Sequence, residues 1–236
     1  MTESIFSYPF EIRDQQLVLT NERCIYWKDQ NLILLSDTHF GKSGHFRKEG
    51  IGIPQSVMEN DLTRLQHIIN FFQPKGILII GDLFHSKYNQ EIKLFEAFRR
   101  NNSLIEIHLI SGNHDILHEE QYKHLDIHNH GIRLNAGPFT FVHDILDSSE
   151  DEETYYFCGH LHPGISIQGK AKQKLKFPCF YFAENYACLP AFSLFTGMGM
   201  IKPRKKDQAF MITKESIIPY RPQQDQNSVV SNHPAL

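Results

Sequence analysis

Two short runs, "LILL" (32–35) and "GILII" (76–80), are apolar at every position. Each is too short for a helix and too continuous for a strand with one wet face, so both read as strands buried on two sides of a sheet. Between them, "PQSVMENDLTRLQHIINFF" (54–72) places Val57, Leu62, Leu65, Ile68, Ile69 and Phe72 at helical spacing. "NQEIKLFEAFRR" reads as a second helix, "LIEIHLI" as a strand and "LHEEQYKHLD" as a short helix. "QQLVLT" and "RCIYW" near the start, then "PFTFV" and "YYFC", read as further strands. From about residue 176 the pattern changes to short aromatic strands, "FPCFYF", "AFSLF" and "AFMIT". The expected fold class is α/β for the first two-thirds and mostly β for the rest, as one domain over residues 1–222. The polar tail, 223–236, is expected to be disordered.

The polar residues just beyond each apolar run narrow the chemistry. "LILLS" delivers Asp37 and His39, and "GILII" delivers Gly81, Asp82 and His85. "IEIHLIS" is followed by Gly112, Asn113, His114 and Asp115. "PFTFV" leads to His143 and Asp144, and "YYFC" to Gly159, His160 and His162. The carboxyl ends of strands are where α/β sheets bind ligands. Asp37, His39, Asp82, Asn113, His143, His160 and His162 form a donor set of nitrogen and oxygen without thiolate. That chemistry suits Mn²⁺, Fe or Zn²⁺, and the set is too large for one tetrahedral zinc. It suits two cations about 3.5–4 Å apart that share a carboxylate. Asp82 is the expected bridge, because Gly81 allows close backbone approach.

The motifs D-x-H (Asp37, His39), G-D-x-x-H (Gly81 to His85), G-N-H-D (Gly112 to Asp115), a lone His143 and G-H-x-H (Gly159 to His162) resemble, in order, those of calcineurin-like metallophosphoesterases. "SDTHFGKSGHFRKEGIGIP" and "LPAFSLFTGM" are similar to the bacterial ligase-associated DNA-damage-response phosphoesterases, the PdeM family. The resemblance implies a four-layer αββα sandwich with mixed β-sheets. It implies a first metal held by Asp37, His39, Asp82 and His162, and a second held by Asp82, Asn113, His143 and His160. A metal-bridging hydroxide would attack phosphorus in line. His114 would act as a catalytic residue at the leaving oxygen, with Asp115 orienting it. His85, Lys42 and Arg47 are candidate substrate contacts, the two cations as a phosphate clamp. The bland alternative for Arg47 is a pair with Glu49 or Glu59.

The expected activity is a metal-dependent phosphodiesterase or endonuclease acting on DNA in repair, with Mn²⁺ the expected metal. A phosphomonoesterase or nucleotide phosphohydrolase is the alternative, and a catalytically inactive scaffold the third reading. The resemblance implies a DNA ligase, a helicase and a second nuclease as partners. A formal charge of -3 gives no basic field for sequence-independent DNA binding, although bound cations would add charge. "KAKQKLK" and "KPRKK" read equally as nucleic-acid contacts or as solvated strand ends. No apolar run approaches a membrane span, and the start lacks the pattern of a secretion signal. Four scattered cysteines fit a reducing cytoplasm. The remaining histidines of the 14, the "HLDIHNHG" cluster included, are expected to be ordinary surface or core residues.

Overall fold

A computed structural model describes residues 4–42, 56–85, 90–148, 153–168 and 173–221. Arg47 and the tail from 223 to 236 lie outside the described residues. The first sheet has seven strands in sequence order: β1 (Ser7–Ile12), β2 (Gln15–Thr20), β3 (Ile25–Trp27), β4 (Leu32–Leu35), β5 (Gly76–Ile80), β6 (Glu106–Ile110) and β7 (Ile127–Asn129). The strands from β1 to β4 pair antiparallel, and those from β4 to β7 parallel. Each parallel step needs a crossover, supplied by α1 (Ser56–Phe72), α2 (Gln90–Asn101) and α3 (Glu119–His124).

The alternation of side chains along β4 and β5 explains their unbroken apolar runs. Ile33, Leu35, Ile77 and Ile79 join the cluster that buries Met58, Leu62, Leu65 and Ile68 of α1 and Phe95 of α2. Leu34, Leu78 and Ile80 point the other way, into a second cluster with Trp27, Phe139, Phe141, Phe157 and Phe180. Complete burial of a side chain of this size stabilises by about 1.5–3 kcal/mol, so neither face tolerates a polar residue.

That second cluster is the seam with the other sheet. It comprises β8 (Arg133–Ala136), β9 (Phe139–Val142), β10 (Tyr155–Cys158), β11 (Pro163–Gln168), β12 (Lys174–Phe182), β13 (Tyr186–Cys188), β14 (Gly199–Met200), β15 (Gln208–Ile212) and β16 (Ile217–Tyr220). The order is β14-β11-β12-β13-β10-β9-β8, with β15 also on β12 and β16 on β15. Pairing is mixed: β9, β10 and β13 run parallel, while β12 is antiparallel to β11, β13 and β15. The result is a mixed α/β sandwich of two mixed sheets. The cluster on the outer side of the second sheet, around Tyr156, Cys179 and Met211, contains no residue of the three helices.

One expected strand is absent. "AFSLF" (191–195) is irregular apart from a bridge between Ala191 and Ser36. Its backbone is satisfied elsewhere: Phe192 N–H donates to Ser36 O (2.8 Å), and Arg23 Nη1 donates to Ser193 O (3.0 Å). Arg64 of α1 also donates to Phe192 O (3.1 Å) while pairing with Glu22 (2.9 Å) and Asp61 (2.8 Å). This segment is thereby fixed beside the end of β4.

Candidate metal centre

The strand ends carry an unusual backbone. Asp37 (φ 53°), His39 (φ 46°), Asp82 (φ 51°), His160 (φ 61°) and His162 (φ 47°) all lie in the left-handed region. Each such residue costs roughly 1–2 kcal/mol relative to ordinary backbone, and such strain gathers at functional sites. Hydrogen bonds between adjacent strand ends hold it. Asp37 N–H donates to Gly81 O (3.1 Å), His39 N–H to Asp82 O (2.9 Å) and Gly159 N–H to His143 O (3.0 Å).

Glycines let the ends converge. A Cβ on Gly81 would overlap the His143 ring, and one on Gly112 would overlap the Asp82 carboxylate. One on Gly159 would stand 2.6 Å from Asp37 Oδ2 and 2.9 Å from Ile80 O. Each glycine before a candidate ligand therefore makes room for a candidate ligand from another strand. The sequence points to this role at Gly81; at Gly112 and Gly159 it emerges only from the structure, although the shared G-D, G-N and G-H spacing carries the signal.

Asp37, Asp82, His39 and His143 form a buried floor, at most 5% exposed. The ligand atoms of Asp37, His39 and His162 lie within 4.8 Å of one another, as do those of Asp37, Asp82 and His143. Asp82 Oδ2 stands between His39 Nε2 (3.7 Å) and His143 Nε2 (3.6 Å). Its other oxygen accepts from His114 N–H (2.9 Å). Asp37 Oδ1 is 3.2 Å from His162 Nε2 without forming a hydrogen bond, and His39 Nε2 is likewise without one. Two orphaned buried atoms that can coordinate, facing a second carboxylate, fit divalent cations.

The electrostatics agree. Burial drives His39 down to about 3 against the pull of Asp37, so the ring is neutral, the form that coordinates a metal. Burial pushes the Asp37 carboxyl up, but His162 and His143 more than offset this and hold it below the ordinary value. Lys42, half-buried on the loop after β4, has its ammonium destabilised by burial while Asp82 and Asp37 pull the other way.

The rim is open. Asn113, His114 and His160 are exposed. His160 Nδ1 is 3.2 Å from His143 Nε2, and its Nε2 is 3.7 Å from Asp144 Oδ2. His85 Nδ1 lies 3.3 Å from His39 Nδ1, and the His85 ring stacks on His114 at 4.3 Å between centroids. His85 thus fixes the ring whose opposite nitrogen is orphaned, a task usual for the outer partner of a metal-binding histidine. Asp115 does not bond the His114 ring. Its carboxylate accepts from Phe84 N–H (3.0 Å) and Gly112 N–H (2.9 Å), joining the loops after β5 and β6.

The family model for calcineurin-like phosphoesterases matches residues 31–180, more than half of the 236. The solved structure of a nuclease from Pseudomonas putida, called MPE, is similar at 26% identity and TM-score 0.78, over 91% of this chain and 100% of that one. YfcE, a phosphoesterase from E. coli, is a weaker likeness: 15% identity and TM-score 0.40, over 77% of this chain and 87% of that one. No protein of curated function matches the sequence.

Proposed function

This chain belongs to the calcineurin-like phosphoesterases, metal-dependent phosphoester hydrolases with a dinuclear site, and we propose that it is a phosphodiesterase that cleaves nucleic acid, with DNA its substrate. The observation that carries the metal-dependent part is the pair of orphaned atoms, Asp37 Oδ1 and His39 Nε2, in a buried floor of two carboxylates and two imidazoles. The likeness to the Pseudomonas putida nuclease supports the diester substrate. The choice of DNA, and of a ligase, a helicase and a second nuclease as partners in repair, rests on the sequence motifs alone.

In this reading Asp37, His39, Asp82 and His162 hold one cation, and Asp82, Asn113, His143 and His160 hold the other, with Mn²⁺ the expected ion. Bound there, the cations would supply positive charge to the phosphoryl oxygens and activate water. His114, exposed on the rim, donates its imidazole proton to the leaving oxygen. His85 keeps that ring in place by stacking and holds His39 by its Nδ1. Lys42 contacts the substrate phosphate, and Arg47 is proposed to share that task. No helix among the described residues is long and apolar enough to cross a membrane. A cytoplasmic location is part of this reading; the four cysteines, all free and buried, support it.

The test is hydrolysis of bis-p-nitrophenyl phosphate by metal-stripped protein, before and after Mn²⁺, with His114→Ala alongside. Turnover should require metal and fall about 10²–10⁴-fold in the variant while its metal content stays at two per chain. Turnover of p-nitrophenyl phosphate alone would favour the monoesterase. Two bound metals with no turnover of either ester would favour the scaffold.

A further inference from the structure

A cavity of about 820 Å³ opens at the far end of the second sheet, lined by Arg13, Tyr181, Tyr186, Arg204, Lys205 and Asp207 among others. Its position follows from the strand directions. β10 and β13 run parallel, with Tyr156 beside Tyr186 and Cys158 beside Cys188. Tyr186 marks the cavity end, and the chain leaves Cys158 for His160 at the other end. At about 3.3 Å per residue, the cavity lies on the order of 15 Å from the candidate metal centre.

The charges in the cavity are unequally matched. Asp207 is already engaged: its Oδ2 accepts from Tyr181 Oη (2.7 Å) and from Arg204 N–H (2.6 Å). Glu184 pairs with Lys206 (3.3 Å). Among the described residues, the side chains of Arg13, Arg204 and Lys205 have no carboxylate partner. Arg13 stands over the Tyr155 ring, 5.8 Å from its centroid. It occupies the two-residue turn between β1 and β2 with φ 50°, followed by Asp14 at φ 58°. That turn type favours Asn or Gly, so a long cation is kept there at a backbone cost. Tyr181 and Tyr186 pack edge to face at 5.8 Å, placing an aromatic wall beside the three cations.

Uncompensated cations beside an aromatic wall, in a cavity of this size, recognise an anion that carries a flat ring. We propose that this cavity binds a nucleotide, its phosphate on Arg13, Arg204 and Lys205 and its base against Tyr186. The nucleotide has two sources, a free mononucleotide or the phosphorylated end of a nucleic-acid strand. The site needs none of the candidate metal ligands, so it stands or falls apart from the proposed phosphodiesterase.

Calorimetric titration of the full chain with thymidine 5′-monophosphate, and separately with a 5′-phosphorylated thymidine trinucleotide, tests this. Performed in EDTA, it excludes binding through cations at the metal centre; repeating it with Mn²⁺ shows whether both sites fill. Saturable 1:1 binding in EDTA is expected, weakening as salt is raised. Arg13→Gly, which suits the turn, and Arg204→Ala should each weaken it at least tenfold while leaving bis-p-nitrophenyl phosphate hydrolysis unchanged. Equal affinity for the two probes would identify the free mononucleotide, and a tenfold preference for the trinucleotide the strand end. Absence of binding of either probe in EDTA, or affinities unaltered in both variants, would overturn the proposal.

Discussion

Replacing Gly81 with alanine separates two effects that usually come together. Gly81 has φ 81°, and an added Cβ would fall on the His143 ring, with Cε1 only 2.7 Å away against an ordinary 3.4–4 Å. The left-handed backbone costs an alanine about 1–2 kcal/mol. Forcing a methyl into a packed site adds about 1–3 kcal/mol. Gly81→Ala should therefore lose about 2–5 kcal/mol. Gly131 supplies the control: its φ is 71°, but its Cβ would meet nothing within 4 Å. Gly131→Ala should lose only the backbone share, about 1–2 kcal/mol. Urea unfolding of the metal-free proteins gives both values, and metal titration gives the consequence, because the overlap displaces a candidate ligand. Gly81→Ala should bind metal more weakly, and Gly131→Ala as wild type does. Equal losses of stability, or intact metal affinity in Gly81→Ala, would refute the idea that Gly81 exists to seat His143.

Acid provides another test, since His39 is held neutral down to about 3 by burial while an unfolded histidine titrates near 6.5. Between these values the unfolded chain carries the extra proton, so this contribution to metal-free stability is present above pH 6.5 and is lost as the pH falls toward 3. From pH 6.5 to 4.5, wild type should lose about 2–3 kcal/mol more than His39→Asn in urea unfolding. Asp115, raised by burial to about 6, acts in the opposite sense but equally in both proteins; identical losses would show that His39 is not a buried neutral base. Arg64→Ala should cost about 3–5 kcal/mol in the same assay, because buried Glu22 and Asp61 would lose the cation that bonds them directly; a loss below 1 kcal/mol would mean that Arg23, which also faces both carboxylates, or solvent compensates them.

Periodicity disclosed those elements whose environment is uniform along their length. β4 and β5 bury both faces, and α1 and α2 bury one stripe, so each carries a pattern that packing requires. β1 gave no such signal: it is an edge strand interrupted by Pro9, where an absent N–H is tolerated. β7, β8 and β13 have three or four residues each, too few for periodicity to register. "AFSLF" misled because aromatic content reports burial and not pairing; Phe192 is buried without a ladder.

The same division holds at the site. Donor types, their order and their place after apolar runs were set by the sequence, because a strand end must switch from apolar to polar where the sheet stops. Which atoms meet was decided only in three dimensions. Asp115 shares a motif with His114, yet its carboxylate binds backbone N–H groups of two loops. His85 follows Asp82 by three residues, yet it serves His39 of another strand. Spacing along one chain segment fixes which residues reach the sheet edge. The pairing between edges depends on strand register, on left-handed backbone at five polar residues and on glycines that leave space for a neighbour's side chain, and these exist only once the two sheets are packed.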